Sequence, residues 1–206
     1  MEPLLFLCHR IPYPPHKGDK IHTYHTLRYL ARYYRVYLGT FIDDPADRVH
    51  IPTVREWCAD AWFGDVRPIA RRLWSLHGLA TGDALSIAYY RDRGLRGWID
   101  RVCVSEKIER ALVYSSSMAP FAIGRDGLKV VLDVADLDSR KWSQYATERR
   151  GIMAAVYRRE GRTLLDYERA AVRRSFASLF ATVAEAELLL EHEPTLAPKL
   201  FGSDLR

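Results

Sequence analysis

Cysteine is scarce: the chain of 206 residues has three, Cys8, Cys58 and Cys103, odd in number and far apart. That argues against a disulfide framework and makes a reducing compartment, the cytoplasm, the expectation. No run of about 18 apolar residues exists, so no segment reads as a membrane-spanning helix. The apolar stretch Leu4–Cys8 follows no basic region and is too short for a secretory signal. Four chemical signatures are missing as well: GxxxxGK[ST], GxGxxG, GxSxG and HExxH. Their absence argues against a Walker phosphate loop, a dinucleotide fingerprint, a hydrolase nucleophile elbow and a zinc-protease helix. No Cys/His pair stands at zinc spacing, so no metal site is expected.

What is present fits a globular α/β chain. The residues are 48% hydrophobic and 28% charged, with twelve glycines, which suits a sizeable core and argues against low complexity. The formal charge is +5, carried by an excess of arginine. Such a balance favours phosphates, an anionic membrane face or nucleic acid, and serves solubility equally well. No nucleic-acid-binding motif accompanies it, so nucleic acid is not an expected partner.

Apolar runs alternate with helical periodicity. Strands are predicted at about 3–8, 35–42, 61–63, 112–114, 130–134 and 179–182. Helices are predicted at 19–34 with Asp19 as N-cap, at 52–59, at 68–80, around Leu95–Val102, at 151–174 and at 185–190. The tail from 191 to 206 reads as linker, and no internal repeat is visible. Strands alternating with helices imply a parallel sheet covered on both faces by helices, a Rossmann-like three-layer α/β/α domain over 1–190.

In such a sheet, ligands lie outside the carboxyl ends of the strands. The segment His9-Arg10-Ile11-Pro12-Tyr13-Pro14-Pro15-His16-Lys17-Gly18-Asp19 occupies such a position after the first strand and is long for a βα connection. Gly18 would let backbone approach a phosphate, Lys17 would supply charge, and His16 or His9 a ligand or proton donor. A rigid structural loop is the alternative. The second candidate is Leu132 to Trp142, where Asp133, Asp136 and Asp138 crowd a strand end. Carboxylates there could accept sugar hydroxyls, hold a divalent cation or act as a base, while Asp138 or Ser139 could simply cap the next helix. Ser115-Ser116-Ser117 ends another strand, and either binds ligand or caps. Arginines at 67, 71 and 72 with Trp74, and at 158, 159, 162, 169, 173 and 174, could lie on an anionic membrane or be a solvated face partnered by Glu160, Asp166 and Glu168.

Several longer motifs add a family resemblance. Arg10 to Ile21 (R-I-P-Y-P-P-x-K-G-D-K-I), Tyr24-His25-x-Leu27-Arg28-Tyr29-Leu30-Ala31, Asp43 to Asp47, Tyr89 to Asp92, Leu132 to Ala146 and Tyr157 to Arg162 resemble the N-terminal half of a family-4 glycosyltransferase. Within that family the likeness is to sugar transferases associated with PEP-CTERM/exosortase exopolysaccharide systems of bacteria. The resemblance implies a GT-B architecture, with this chain as the acceptor-side domain and residues 191–206 leading to a donor-binding domain beyond it. It implies transfer of a sugar from a nucleotide-diphosphate donor to a glycan or lipid-linked acceptor, without cofactor or metal, by a cytoplasmic enzyme in peripheral contact with the inner membrane face. The chain by itself would be inactive. Carried over residue by residue, His16, Lys17, Gly18, Asp19, Ser116, Ser117 and Glu185 fall at substrate-binding positions, and Asp133, Asp136 and Asp138 at catalytic ones. Where the family has Val-Ser-Glu this chain has Val183-Ala184-Glu185, which removes an N-cap hydroxyl unless Thr182 replaces it. A non-catalytic Rossmann-like module that binds a glycan or a partner is the competing expectation.

Overall fold

The structure is a computed structural model describing residues 1–66, 84–191 and 194–202. In chain order its elements are β1 (Glu2–Cys8), α1 (Gly18–Leu30), β2 (Tyr34–Ile42), α2 (Ile51–Arg55), β3 (Asp60–Asp65), α3 (Leu85–Tyr89), α4 (Arg93–Ser105), β4 (Arg110–Tyr114), β5 (Lys129–Asp133), α5 (Asp138–Glu148), α6 (Gly151–Arg174), β6 (Ala177–Phe180), α7 (Val183–Leu190) and β7 (Leu200–Gly202). Short 3₁₀ turns occupy Pro45–His50, Ser116–Phe121 and Pro194–Lys199. The fold is α/β and Rossmann-like, with a mostly parallel sheet and flanking helices. The chain forms two compact units.

The first unit comprises Met1–Pro68, Asp92–Tyr114 and Met118–Val130. Its strands run parallel in the order β3-β2-β1-β4. Leu4 to Cys8 are all buried, as a strand paired on both edges and covered on both faces requires. The order reverses between β1 and β4: the chain moves outward through β2 and β3, then returns to the other side of β1. Helix α4 packs through Leu95, Trp98, Ile99 and Val102, the four positions its sequence periodicity marks. Asp92 caps it by accepting a hydrogen bond from Leu95 N at 3.0 Å. Helix α1 begins at Gly18 with Lys17 as N-cap, so Asp19 lies in the first turn and does not cap, contrary to the expectation. A buried ion pair, Lys20 Nζ to Asp47, ties α1 to the 3₁₀ turn after β2.

The second unit comprises Ile69–Arg91, Ser115–Ser117 and Val131–Arg206. Here β6 lies between β5 and β7, both pairings parallel. The stretch read as linker therefore carries a 3₁₀ turn and a short strand paired to β6. Helices α5 and α6 form an antiparallel hairpin. Its close approach is set at Gly161, where a Cβ would come within 2.7 Å of Ser143 Oγ and 3.2 Å of the Ser139 carbonyl. Thr182 does replace the missing serine: its Oγ1 accepts from Glu185 N at 3.3 Å and caps α7. The helix expected at 68–80 and the Arg67, Arg71, Arg72 and Trp74 patch fall outside the described residues, apart from the flank that ends at Val66.

Candidate functional site

In the first unit, charge collects where the carboxyl ends of β1, β2 and β4 meet. His9 and Arg10 follow β1, Asp43 follows β2, and Tyr114 ends β4. The loop is held against β2 by Ile11 N, which donates to the Phe41 carbonyl at 2.8 Å, and the Ile11 side chain is fully buried. Arg10 then bridges two carboxylates, donating from Nη1 to Asp19 Oδ2 at 2.7 Å and forming an ion pair with Asp43, whose Oδ2 lies 2.9 Å from Nε. His9 Nε2 lies 3.4 Å from the same Asp19 oxygen. The His9 hydrogen bond and the Arg10 guanidinium hold the Asp19 carboxyl well below the usual carboxylate range, against an opposing effect of partial burial.

Two imidazoles stack on Tyr114: His9 at 5.8 Å with planes 7° apart, and His22 of α1 at 5.1 Å and 27°. His22 also lines an open groove of about 680 Å³ along α1, with Gly18, Ile21, His25, Tyr29 and Leu112. This is the switch point of the strand order in this unit, the place where open α/β sheets bind ligands. Partly exposed carboxylates beside ring faces are the groups that hold polyhydroxylated ligands, one accepting from hydroxyls and the other covering the apolar face of a ring.

Of the residues expected here, Asp19 and His9 enter the cluster. His16 is exposed and its Nδ1 lies 2.8 Å from the Pro14 carbonyl; Lys17 is exposed at the start of α1. Gly18 has no positive φ, and a Cβ built on it meets nothing within 4 Å. The bend therefore does not demand glycine, and the space beside it is open. Arg10, Asp43, Tyr114 and His22 complete the cluster. The signal shared by the first three is position: each stands at or just after the end of a parallel strand.

In the second unit, the expected residues have structural partners. Asp133 is buried, and its Oδ1 accepts from Ala135 N at 3.1 Å while Ala135 holds φ at 59°. Lys141 Nζ donates to Asp136 at 2.8 Å and to Asp138 at 3.3 Å, so these two carboxylates share one cation at the start of α5. Leu137 is the N-cap of α5, and neither Asp138 nor Ser139 caps it by side chain. Glu185 accepts from Leu137 N at 3.2 Å and from Thr182 Oγ1 at 3.0 Å, clamping the β5–α5 turn to the start of α7. Ser115 N donates to the Asp133 carbonyl at 2.8 Å, and the Ser115 and Ser117 hydroxyls bond each other at 2.9 Å. Ser116 and Ser117 are buried.

The arginines of α6 are not balanced as a surface lattice. Glu160 is buried and accepts from Leu85 N, Ser86 N and Ser86 Oγ at 2.8–2.9 Å, a cap for α3 supplied from another helix. Glu168 is buried too, and neither of its oxygens has a hydrogen-bond partner within normal distance. Burial pushes its carboxyl up from the usual 4.5 to about 7, against the weaker pull of Ser139 and the α5 N-terminus. Asp166 lies 3.7 Å from Arg169, and Arg159 Nη1 lies 4.0 Å from Glu160 Oε2.

No family model matches the chain, and no curated protein is significantly similar to it. Among solved structures it is similar to a sucrose-phosphate synthase from Thermosynechococcus elongatus, at 12% identity and a TM-score of 0.59. The match covers 98% of this chain and 47% of that one, so the chain spans about half the length of the structure it resembles. The likeness is one of fold. No helix among the described residues is long and apolar enough to cross a membrane.

Proposed function

We propose that the chain is the acceptor-side domain of a GT-B glycosyltransferase that moves a sugar from a nucleotide-diphosphate donor to a glycan or lipid-linked acceptor. One observation carries the reading: a Rossmann-like fold, matched over nearly all its length to about half of a sucrose-phosphate synthase, has its open carboxylate and ring cluster at the strand-order switch point. The acceptor occupies the groove along α1, with Asp19 and Asp43 accepting from its hydroxyls and Tyr114 and His22 beside its ring. Lys17 and the open backbone at Gly18 face the departing diphosphate, whose charge is met by cations and N–H groups. Asp133, Asp136 and Asp138, with Ser116, Ser117 and Glu185, shape the second unit's turns, and any catalytic part for Asp136 and Asp138 requires Lys141 to release them. The bacterial exopolysaccharide role rests on the sequence motifs.

The test is a screen of nucleoside-diphosphate sugars for hydrolysis or transfer, using the full product of the gene. Turnover that falls at least tenfold in Lys17→Ala and in Asp43→Asn supports the reading. Turnover unchanged in both removes the loop and the cluster from the mechanism. A second reading, a binding module without catalysis, is favoured by the engagement of Asp133, Asp136 and Asp138 with a backbone donor and Lys141. Saturable glycan binding with no turnover of any donor would decide for it.

A further inference from the structure

The tip of the α5–α6 hairpin has a composition that the transfer reading leaves unused. Residues Arg149-Arg150-Gly151-Ile152-Met153 join the two helices and are all exposed. Ile152 is 83% exposed and Met153 50%, among the largest apolar exposures in the described residues. Other exposed apolar side chains, such as Val49, Val104 and Phe176, stand apart from one another in sequence. Between residues 143 and 160 four arginines, Arg149, Arg150, Arg158 and Arg159, stand against two carboxylates, Glu148 and Glu160, a net of +2, and Arg159 Nη1 lies 4.0 Å from Glu160 Oε2. Glu160 is turned inward onto the start of α3.

Basic and apolar groups alternate along the hairpin as at a bilayer interface: Arg149 and Arg150 stand in the connection, and Ile152 and Met153 lie in the first turn of α6. Arg158 is six residues further along α6, about 9 Å by the helical rise, close to the depth of about 5–10 Å at which interfacial helices bury their apolar side. Tyr145, 49% exposed, packs tilted against Tyr157 at 6.3 Å, and Tyr157 tilted against Trp142 at 5.3 Å. Trp142 is anchored by Nε1, which donates to Ser86 Oγ at 3.1 Å. Aromatics of this kind sit at the headgroup level. Helix α6 starts with no side-chain cap, so its positive end adds to the arginines.

We infer that the α5–α6 tip docks the protein on an anionic lipid surface, with Ile152 and Met153 entering the acyl boundary and the arginines meeting phosphates. This stands independently of the transfer reading and places the membrane contact on this hairpin. The test is co-sedimentation of the 206-residue chain with vesicles of phosphatidylcholine alone and of phosphatidylcholine mixed with phosphatidylglycerol. Binding is expected to the mixed vesicles and to fade as salt rises. R149Q/R150Q should weaken partitioning roughly 30-fold, at about fivefold per arginine. R149K/R150K should retain it, since the charge is kept. I152S/M153S should weaken it about tenfold or more, through lost apolar burial. All four positions are exposed, and unchanged thermal unfolding would show the variants folded. Equal partitioning to both vesicle types, or no loss in R149Q/R150Q, overturns the inference. So does self-association that I152S/M153S abolishes with no vesicle binding by the parent chain, which would make the tip a protein contact.

Discussion

Asp19 and Lys20 are neighbours on α1 and have opposite surroundings. Lys20 is fully buried, its ammonium closed onto Asp47. Asp19 looks out to a rim where His9 and Arg10 share its carboxylate and Arg10 reaches on to Asp43. One step along a helix turns a side chain by about 100°, enough to send two adjacent charges to different sides. The sealed pair ties α1 to the turn after β2. The open cluster, at the ends of three parallel strands, keeps its two carboxylates about one-fifth exposed. Charge at a strand end is thus evidence of a binding site only where its partners leave it reachable.

The largest expected effect breaks the sealed side. Lys20→Met leaves Asp47 buried without its cation and should cost about 3–5 kcal/mol in chemical unfolding. Pairing it with Asp47→Leu should recover most of that loss, because a buried pair replaced by apolar groups of similar size is often neutral.

A second pair of buried charges sharpens the same contrast in the other unit. Glu160 is fully hydrogen-bonded and Glu168 is not, although both lie on α6. The folded Glu168 holds its proton up to about 7, whereas unfolded it ionises near 4.5. Between those values the folded state binds more protons, so stability falls as pH rises through that window, by about 3 kcal/mol in all. Glu168→Gln should flatten that slope and raise the melting temperature at pH 8. Glu160→Gln should instead lower it at every pH, by about 1–3 kcal/mol, since one of its three donors loses its acceptor.

Effects on the open cluster should be small in stability and large in binding. Asp19→Asn removes a carboxyl held below its usual range. The stability that group contributes is present above the unfolded value of about 4 and is lost as pH falls below it. The variant should therefore be less sensitive to acid, and at pH 7 it should lose less than about 1 kcal/mol because the site is partly exposed. If it also binds the acceptor sugar as tightly as the parent, the rim is not the ligand site. Smallest of all, Gly18→Ala should be neutral or stabilising by up to about 1 kcal/mol, since helix propensity rises and the added Cβ has room. Loss of transferase turnover in that variant, with stability intact, would show that the open space beside residue 18 is used by substrate.

Much of the architecture was legible in the residues. The apolar runs of β1, β2 and β4 and the Leu95-Trp98-Ile99-Val102 stripe of α4 read directly, and α6 begins and ends where its pattern does. Strand β7 was hidden because three residues show no alternation, and their pairing partner β6 is more than twenty positions away. The candidate site was half legible. Asp19 was singled out for a cap it does not form. Arg10 and Asp43 were read as part of a loop and a turn, since their meeting depends on two strands placing them side by side.

By itself the sequence determined the α/β class, the parallel strands and the segments at whose ends ligands bind, because periodicity and punctuation are local. Only the tertiary structure decided which charges are sealed, which are spent on capping and which stay open. Glu160, Glu168 and Glu185 are the same residue type on the same kind of helix, and burial and the donors within reach give each a different part. Those donors come from elements distant in sequence, so the Coulomb and desolvation energies that set a carboxylate's chemistry exist only once the chain has folded.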